Sequence, residues 1–303
     1  MKFIDVSEAK SVYQKGENVT QFLRTKLGSE NNTSEIIEIA YDLQAGSYIE
    51  NLKSDPVRQE RYATDLSGIL NEHLKPGDSL LDVGTGEITT LTLVLNKLVV
   101  ELAEIFAFDI SWSRLSVGMG FHRENRKIKF PLKTFVADMK EIPLHDKCVD
   151  VVTSSHALEP NRADLEILLL ELFRITKKKL VLFEPSYELN SEEGKARMDR
   201  LGYVRDIEGV VSKLGGKVLD ITRVFDRNIP LNPTACYIIE PPIQNTKHFE
   251  TVTFCVPGTN FKLEADGQYL FSKDTGLLFP IIDGIAVLKN ISAILATAKC
   301  QID

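Results

Sequence analysis

A doubly wound α/β fold is predicted, because short apolar runs alternate with longer amphipathic segments from residue 79 to about residue 240. Each run is compact and bounded by polar or turn residues, as in the buried strands of a parallel sheet. The predicted strands are residues 79–83, 105–109, 134–137, 149–153 and 179–183. Apolar residues in the intervening segments recur every three or four positions, which is typical of helices. The predicted helices are residues 89–102, 111–121 and 163–175.

Two further apolar runs, residues 217–224 and 235–239, are predicted to pair as an antiparallel hairpin at the sheet edge. Turn residues at 227–233 separate them. The sequence therefore predicts a mostly parallel, seven-stranded sheet with right-handed crossovers and helices on both faces. This central domain is expected to span residues 77–242.

Different patterns flank the central domain. Residues 1–76 are predicted to form a helical lid, in which Ser34 caps one helix and Pro56 starts another. The pair Pro241 and Pro242 marks a boundary. Short apolar runs separated by glycine turns follow it, and they predict a small β-rich domain over residues 243–303.

Charge and cysteine content narrow the classes of function. The 303 residues carry a net charge of −7, with a pI near 5.4, which argues against a broad basic surface for nucleic acid. The four cysteines are scattered and form no CxxC pair, so neither a disulfide framework nor a cysteine-rich zinc site is expected. No signal-peptide core and no apolar run of about 18 residues is seen, which predicts a cytoplasmic protein without membrane contact.

The strongest candidate site is the glycine turn after the first predicted strand. That strand ends in Asp82 and Val83, and Gly84, Thr85 and Gly86 follow it. Glycine lets the backbone turn sharply and approach a nucleotide-like ligand without a Cβ in the way. A tight strand-to-helix turn that binds nothing is the alternative, and the glycines alone do not separate the two.

Two later carboxylates favour a ligand site. Asp109 ends the second predicted strand, where its two oxygens can each accept a ribose hydroxyl. Asp138 follows the third strand, where it can accept the exocyclic amine of adenine while Met139 packs on the ring. Either aspartate alone could instead be a helix cap. An NAD dehydrogenase is disfavoured, because its third glycine would fall on Thr89.

Residues 79–184 resemble the class I S-adenosylmethionine-dependent methyltransferases, a large Rossmann-like family that includes the ubiquinone-biosynthesis methyltransferases. The segment from Asp82 to Gly86 resembles the first family motif, although Ile88 replaces its third glycine. The resemblance implies S-adenosylmethionine as cofactor and S-adenosylhomocysteine as product. The cofactor-binding residues it implies are Asp82, Gly84, Thr85, Gly86, Asp109, Ile110, Asp138, Met139, Ser154, Ser155 and Tyr48.

His156 is the candidate catalytic residue. Its unperturbed pKa near 6.5 suits a general base that removes a proton from the methyl acceptor. The alternative is a histidine that only bonds the loop or the cofactor, because many methyl transfers need chiefly alignment and a dry pocket. In the lid, Tyr48 or Arg61 is expected to contact the cofactor carboxylate or to close over the substrate.

The C-terminal domain carries a second resemblance. Its segment from Phe279 to Leu288 resembles a sequence motif of the small zinc-ribbon-like activator subunits of tRNA and protein methyltransferases. The cysteine positions of those proteins hold Cys255, Gly258, Ser272 and Thr275 here, and one thiol cannot make a tetrahedral zinc site. A metal-free ribbon-like domain is therefore expected. Covering the active site, mediating a homodimer, binding a partner and merely stabilising the fold all stay open as roles.

The sequence favours transfer of a methyl group to an oxygen or nitrogen of a small-molecule acceptor. Nucleic acid is disfavoured as a partner by the acidic charge. An RNA or protein methyltransferase that uses the C-terminal domain for recognition is the first alternative. A non-catalytic binding module of the same fold is the second.

Overall fold

The computed structural model describes residues 6–127, 131–224, 230–243 and 251–301. Helices make up the region before the first strand, as predicted. They are α1 (Val6–Gln14), α2 (Val19–Leu27), α3 (Ser34–Asp42), α4 (Ser47–Ser54) and α5 (Pro56–His73). Thr33, not Ser34, caps α3, because the Thr33 hydroxyl accepts the Ile36 amide at 3.3 Å. Pro56 starts α5 as expected, with Asp55 as its cap.

The central sheet contains all seven predicted strands. They are β1 (Ser79–Val83), β2 (Glu104–Asp109), β3 (Leu132–Val136), β4 (Val149–Ser155), β5 (Thr176–Pro185), β6 (Lys217–Arg223) and β7 (Thr234–Glu240). Their spatial order is β6-β7-β5-β4-β1-β2-β3. Strands β1 to β5 pair in parallel, and β7 pairs antiparallel with both β5 and β6. The edge hairpin is therefore confirmed, although residues 225–229 of its predicted turn lie outside the described residues.

Helices connect these strands and cover the sheet. They are α6 (Thr89–Leu95), α7 (Trp112–Asn125), α8 (Leu165–Ile175), α9 (Glu192–Leu201) and α10 (Ile207–Lys213). Helix α6 ends seven residues before its predicted end. Asn96 leaves the helix there because its side chain donates to the Asn125 carbonyl and accepts the Lys127 amide. These contacts with distant residues override the helical period of the sequence.

The sheet does not end at β3, so the predicted count of seven strands is wrong for the whole sheet. The C-terminal strands are β8 (Glu264–Asp266), β9 (Tyr269–Phe271), β10 (Leu277–Ile282), β11 (Ile285–Val287) and β12 (Ile294–Leu295). Strand β11 pairs in parallel with β3 and continues the sheet, which has twelve strands in all. The free backbone groups on the outer edge of β3 explain this pairing, because an uncovered edge leaves amides and carbonyls without partners.

The C-terminal strands also share the main hydrophobic core. The Phe254 ring lies 5.1 Å from the Phe135 ring in an edge-to-face arrangement, and Leu288 and Phe279 are fully buried. The same cluster contains Leu81 and other residues of the central strands. Residues 251–301 therefore pack on the central sheet rather than around a core of their own. The boundary near residue 242 stays a prediction, and residues 244–250 lie outside the described residues.

Candidate functional site

The glycine turn has the close contacts that the sequence predicts. Gly84 and Gly86 both have positive φ angles, at 63° and 58°. A Cβ on Gly84 would lie only 2.5 Å from the Ala157 Cβ, so no larger residue fits there without displacing backbone. Ile88 stands where the resembling family has a third glycine and is held at a φ of 56°. The turn is thus pressed against the loop that follows β4.

Two acids lie beside this turn. Asp82 is buried at the end of β1, and burial raises its pKa to about 7. The Asp109 carboxylate accepts the Gly86 amide at one oxygen and the Ser111 amide at the other, both at 2.9 Å. Burial raises the pKa of Asp109, and the Arg114 guanidinium opposes that rise. Each Asp109 oxygen keeps one further lone pair, so both can still accept a hydroxyl.

The segment after β3 forms the opposite wall. Asp138 accepts the Lys140 amide at 2.9 Å, which holds the turn that presents Met139. The Met139 methyl group lies 3.8 Å from the position of a Cβ on Gly84. The Ala137 amide donates to the Asp109 carbonyl at 3.1 Å. The predicted ribose and adenine residues are therefore brought to the same place.

A cavity of about 240 Å³ opens between the N-terminal helices α1 to α5, which we call the lid, and the carboxyl ends of the central strands. Most predicted site residues line it. They are Tyr48, Asp82, Gly84, Thr85, Asp109, Ile110, Asp138, Met139, Ser155 and His156. Ser155 also bonds the Tyr62 hydroxyl at 2.9 Å, which joins β4 to the lid helix α5. Gly86 and Ser154 do not line this cavity. The Gly86 amide donates to Asp109, and the Ser154 hydroxyl donates to Glu184 at 2.7 Å.

Both ring nitrogens of His156 are engaged. Nδ1 lies 2.7 Å from a carboxylate oxygen of Glu159, and Nε2 lies 2.9 Å from the Thr234 hydroxyl. The His156 ring holds the pKa of Glu159 below its usual range, against the effect of burial. His156 also has a φ of 60°, which few non-glycine residues adopt. The ring thus fastens its own loop to β7, and its role as a general base stays a prediction.

Sequence reasoning missed Arg114 on α7. Its side chain is only 2% exposed, and its guanidinium lies between two tyrosine rings, 4.8 Å from the Tyr41 centroid and 4.3 Å from the Tyr48 centroid. Its Nε donates to the Tyr41 carbonyl at 2.8 Å. Tyr41 and Tyr48 lie in the lid helices α3 and α4. No local pattern in the sequence predicts that Arg114 contacts them.

Glu87 was also missed, although it directly follows the glycine turn. It is fully buried, and its two carboxylate oxygens accept the backbone amides of Gly46, Tyr48 and Ile49 at 2.9 to 3.2 Å. These amides form the start of helix α4, where the helix dipole favours an anion. The lid is therefore attached to the glycine turn itself. An acidic residue directly after the glycine turn was the one signal available in the sequence.

Glu184 is the third missed residue, at the end of β5. One of its oxygens accepts the Ser154 hydroxyl and the amides of Ala157 and Leu158, which supports the loop that carries His156. The other oxygen is buried without a partner among the described residues. Burial raises the pKa of Glu184 to about 8.

Replacing Glu184 by glutamine is expected to change how stability depends on pH. The pKa of Glu184 is higher in the folded protein than in the unfolded chain. The free energy of unfolding of wild type therefore falls as the pH rises from about 4.5 to 8, by at most about 1.4 kcal/mol per pH unit. Glutamine keeps the accepting oxygen and does not ionise, so Glu184→Gln loses less stability than wild type over this range. Urea unfolding at several pH values measures it, with exposed Glu193→Gln as control. Parallel pH profiles of wild type and variant would exclude a buried, protonated Glu184.

Cys255 is the one thiol among the four C-terminal positions Cys255, Gly258, Ser272 and Thr275. Burial raises the pKa of the Cys255 thiol to about 12, which keeps it protonated. Within residues 6–127, 131–224, 230–243 and 251–301, no group of three or more His, Cys, Asp or Glu side chains could hold a metal ion. The same residues include no helix long and apolar enough to cross a membrane.

One family model matches the central region. Residues 81–183 match the family described as a methyltransferase domain. A search of curated proteins gives no match. The matched segment contains the glycine turn, Asp109, Asp138 and His156, and it supports S-adenosylmethionine as the cofactor of this domain.

Several solved structures are similar to this chain at low sequence identity. One chain belongs to the complex between the Haloferax volcanii Trm112 methyltransferase activator and a methyltransferase. It is 17% identical, with a TM-score of 0.51 over 67% of this chain and 98% of that chain. A methyltransferase from Aquifex aeolicus is 21% identical, with a TM-score of 0.47 over 64% and 97% of the two chains. One from Methanosarcina mazei is 14% identical, with a TM-score of 0.49 over 58% and 98%.

Proposed function

We propose that this protein transfers a methyl group from S-adenosylmethionine to an oxygen or nitrogen of a small-molecule acceptor. One observation carries the proposal: Asp82, Asp109, Asp138 and Met139 converge on one cavity beside a glycine turn that tolerates no Cβ. The ubiquinone-biosynthesis methyltransferases are the group that these motifs favour. The acidic net charge favours a small acceptor over nucleic acid.

The residues of the cavity fit this cofactor. Two oxygens of Asp109 suit the ribose hydroxyls, Asp138 suits the adenine amine, and Met139 gives the ring an apolar contact. Thr85 lines the cavity, and its hydroxyl lies beside Asp82, where it too can bond a ligand. Tyr48 and Arg114 are packed over Gly86, where a Cβ would meet the Tyr48 ring at 3.2 Å. That packing excludes water from one side.

The chemistry requires little from the protein beyond placement. S-adenosylmethionine supplies a methyl group on a sulfonium sulfur, which leaves with the electron pair of the C–S bond when the acceptor attacks. The chain contributes a cavity and a loop after β4, where His156 and Ser155 line the cavity. His156 is held by Glu159 and Thr234, so we infer that it positions this loop. An acceptor with a low pKa needs no base from the protein.

Calorimetric titration tests the proposal directly. S-adenosylmethionine and S-adenosylhomocysteine are expected to bind the full chain, and NAD is expected to give no heat. Absence of heat with both adenosyl ligands at millimolar concentration would refute the function. Binding of both ligands without methyl transfer to any acceptor class would instead favour the non-catalytic binding module.

We also propose that residues 251–301 act as an activator within the same chain. The Haloferax structure combines a methyltransferase with a separate activator. Here β11 extends the sheet beside β3, and the Leu288 amide donates to the Val136 carbonyl at 2.8 Å. Asp138 and Met139 follow β3 directly, and Lys289 reaches Glu38 of lid helix α3. Residues 251–301 thus support the lid and also the segment with Asp138 and Met139, which we propose as the adenine contact.

Replacing Leu288 by proline is expected to weaken S-adenosylhomocysteine binding, because proline removes the amide that bonds Val136. Ile294→Pro is the control, since β12 pairs with β10 and the described residues show no pairing between β12 and β3. Calorimetry on both variants measures the effect. A loss of affinity of about tenfold or more in Leu288→Pro alone supports an activating role. Equal affinities would leave the segment as a stabilising appendage.

A further inference from the structure

A second cavity lies next to the cofactor cavity. Its volume is about 190 Å³, and Pro160 and Asn161 line both cavities. The lid forms one side of it, through the end of α2 and the loop that follows. The end of α9 forms the other side. The Asn32 side chain donates to the Pro160 carbonyl at 3.2 Å, which holds the lid against this segment.

Three arginines line this second cavity: Arg24 from the lid, Arg162 before α8 and Arg200 near the end of α9. Two carboxylates accompany them. Asp199 is already balanced, because Arg162 lies 2.8 Å and Arg205 lies 3.5 Å from the same oxygen. The other, Glu30, is exposed.

Arg24 and Arg200 are left to attract a ligand. Neither forms an ion pair with any described residue, whereas Arg162 is held by its bond to the Tyr203 carbonyl at 2.6 Å. A guanidinium offers several N–H donors in a plane, and this arrangement matches the oxygens of a carboxylate or a phosphate. The chain has a net charge of −7, yet three arginines lie together in this cavity. Their positive charges favour the binding of an anion there.

We propose that this cavity, the arginine pocket, binds the carboxylate or phosphate group of the methyl acceptor. Pro160 and Asn161 line both the arginine pocket and the cofactor cavity, so an anionic group in the pocket would place the rest of a small acceptor beside these two residues. The inference rests on the proposed function and names its substrate class: a small anionic molecule. Arg24 belongs to the lid, so lid contacts contribute to selecting the acceptor.

The test uses the full chain and two anion probes, inorganic phosphate and malonate. Each is titrated with and without S-adenosylhomocysteine. The variant is the double substitution Arg24→Gln and Arg200→Gln. The matched control is Arg123→Gln, an exposed arginine near the end of α7 that lines neither cavity. Comparing the two probes shows whether a phosphate or a carboxylate is preferred.

At least one probe is expected to bind wild type and the control, and to bind the double variant about tenfold more weakly, since charge-assisted hydrogen bonds are lost. The affinity for S-adenosylhomocysteine stays equal in all three proteins. Equal anion affinity in wild type and double variant would overturn the arginine pocket, as would failure of both anions to bind wild type. Failure of S-adenosylhomocysteine to bind wild type refutes the proposed function separately.

Substrate screening gives the second arm. Radiolabelled methyl transfer is measured on matched acceptors with and without a carboxylate or phosphate group. The anionic acceptors are expected to lose about tenfold in kcat/KM in the double variant, while neutral analogues change little. If single-stranded RNA binds with steep salt dependence, and the double variant loses that binding, the arginines hold an RNA backbone and the small-molecule proposal is wrong.

Discussion

Replacing Asp109 by alanine is expected to weaken S-adenosylmethionine binding at least about tenfold. The change removes both oxygens that we propose as acceptors for the ribose hydroxyls. It also leaves the amides of Gly86 and Ser111 without their buried partner. Unpaired buried amides cost about 1–3 kcal/mol each, so the glycine turn loses its support as well. Calorimetry with S-adenosylhomocysteine measures the loss.

A second substitution separates binding from folding. Asp109→Asn keeps the shape and one accepting oxygen, and it places an amide donor against a backbone donor. Asp274→Ala, in an exposed C-terminal loop, is the control. Urea unfolding of each variant shows how much stability changes. If Asp109→Asn and Asp109→Ala both bind S-adenosylhomocysteine as tightly as wild type, the ribose assignment is wrong.

Replacing Glu87 by glutamine is expected to release the lid from the glycine turn. The buried carboxylate accepts three amides at the start of α4, and glutamine turns one of its two acceptors into a donor that faces them. A loss of about 2–4 kcal/mol is expected for this buried, charge-assisted set. Hydrogen exchange at Gly46, Tyr48 and Ile49 is the direct measurement, because these amides lose protection when the lid opens.

Glu50→Gln provides the matched control for Glu87. Glu50 lies in the same helix α4, but its side chain is 71% exposed and pairs only with Lys53 among the described residues. Its removal is expected to change stability by less than about 0.5 kcal/mol. S-adenosylhomocysteine binding should weaken in Glu87→Gln alone, because Tyr48 and Arg114 lose their place over Gly86. Unchanged exchange at the three amides in Glu87→Gln would contradict attachment of the lid through this carboxylate.

Local sequence was sufficient to predict the central strands and several residues that line the cavity beside the glycine turn. Apolar runs that alternate with segments of helical period predicted the positions of strands β1 to β5 in the sequence. This works because buried parallel strands are apolar on both faces. Asp82, Asp109 and Asp138 were found for a related reason: parallel strands all end at the same sheet edge, so acids at strand ends meet. Strand topology thus turned three separated residues into one site.

Long-range pairing could not be predicted in the same way. Arg114 lies on a helix more than sixty positions after Tyr41 and Tyr48 in the chain. Neither the strand period nor the helix period of the sequence predicts its contact with them. The short end of α6 has the same origin, since Asn96 is held by residues about thirty positions away. Such contacts are selected by hydrogen bonding and packing in the folded chain, where local propensity is a weak guide.

The sequence by itself determined the fold class, the glycine turn and the acids that line the cavity beside it, because each depends on residues near one another in a strand and its following loop. Only the tertiary structure decided that Glu87 holds the lid, that His156 is bonded at both nitrogens, and that β11 extends the sheet beyond β3. Buried polar groups must find partners wherever the fold brings them, and that requirement has no local pattern.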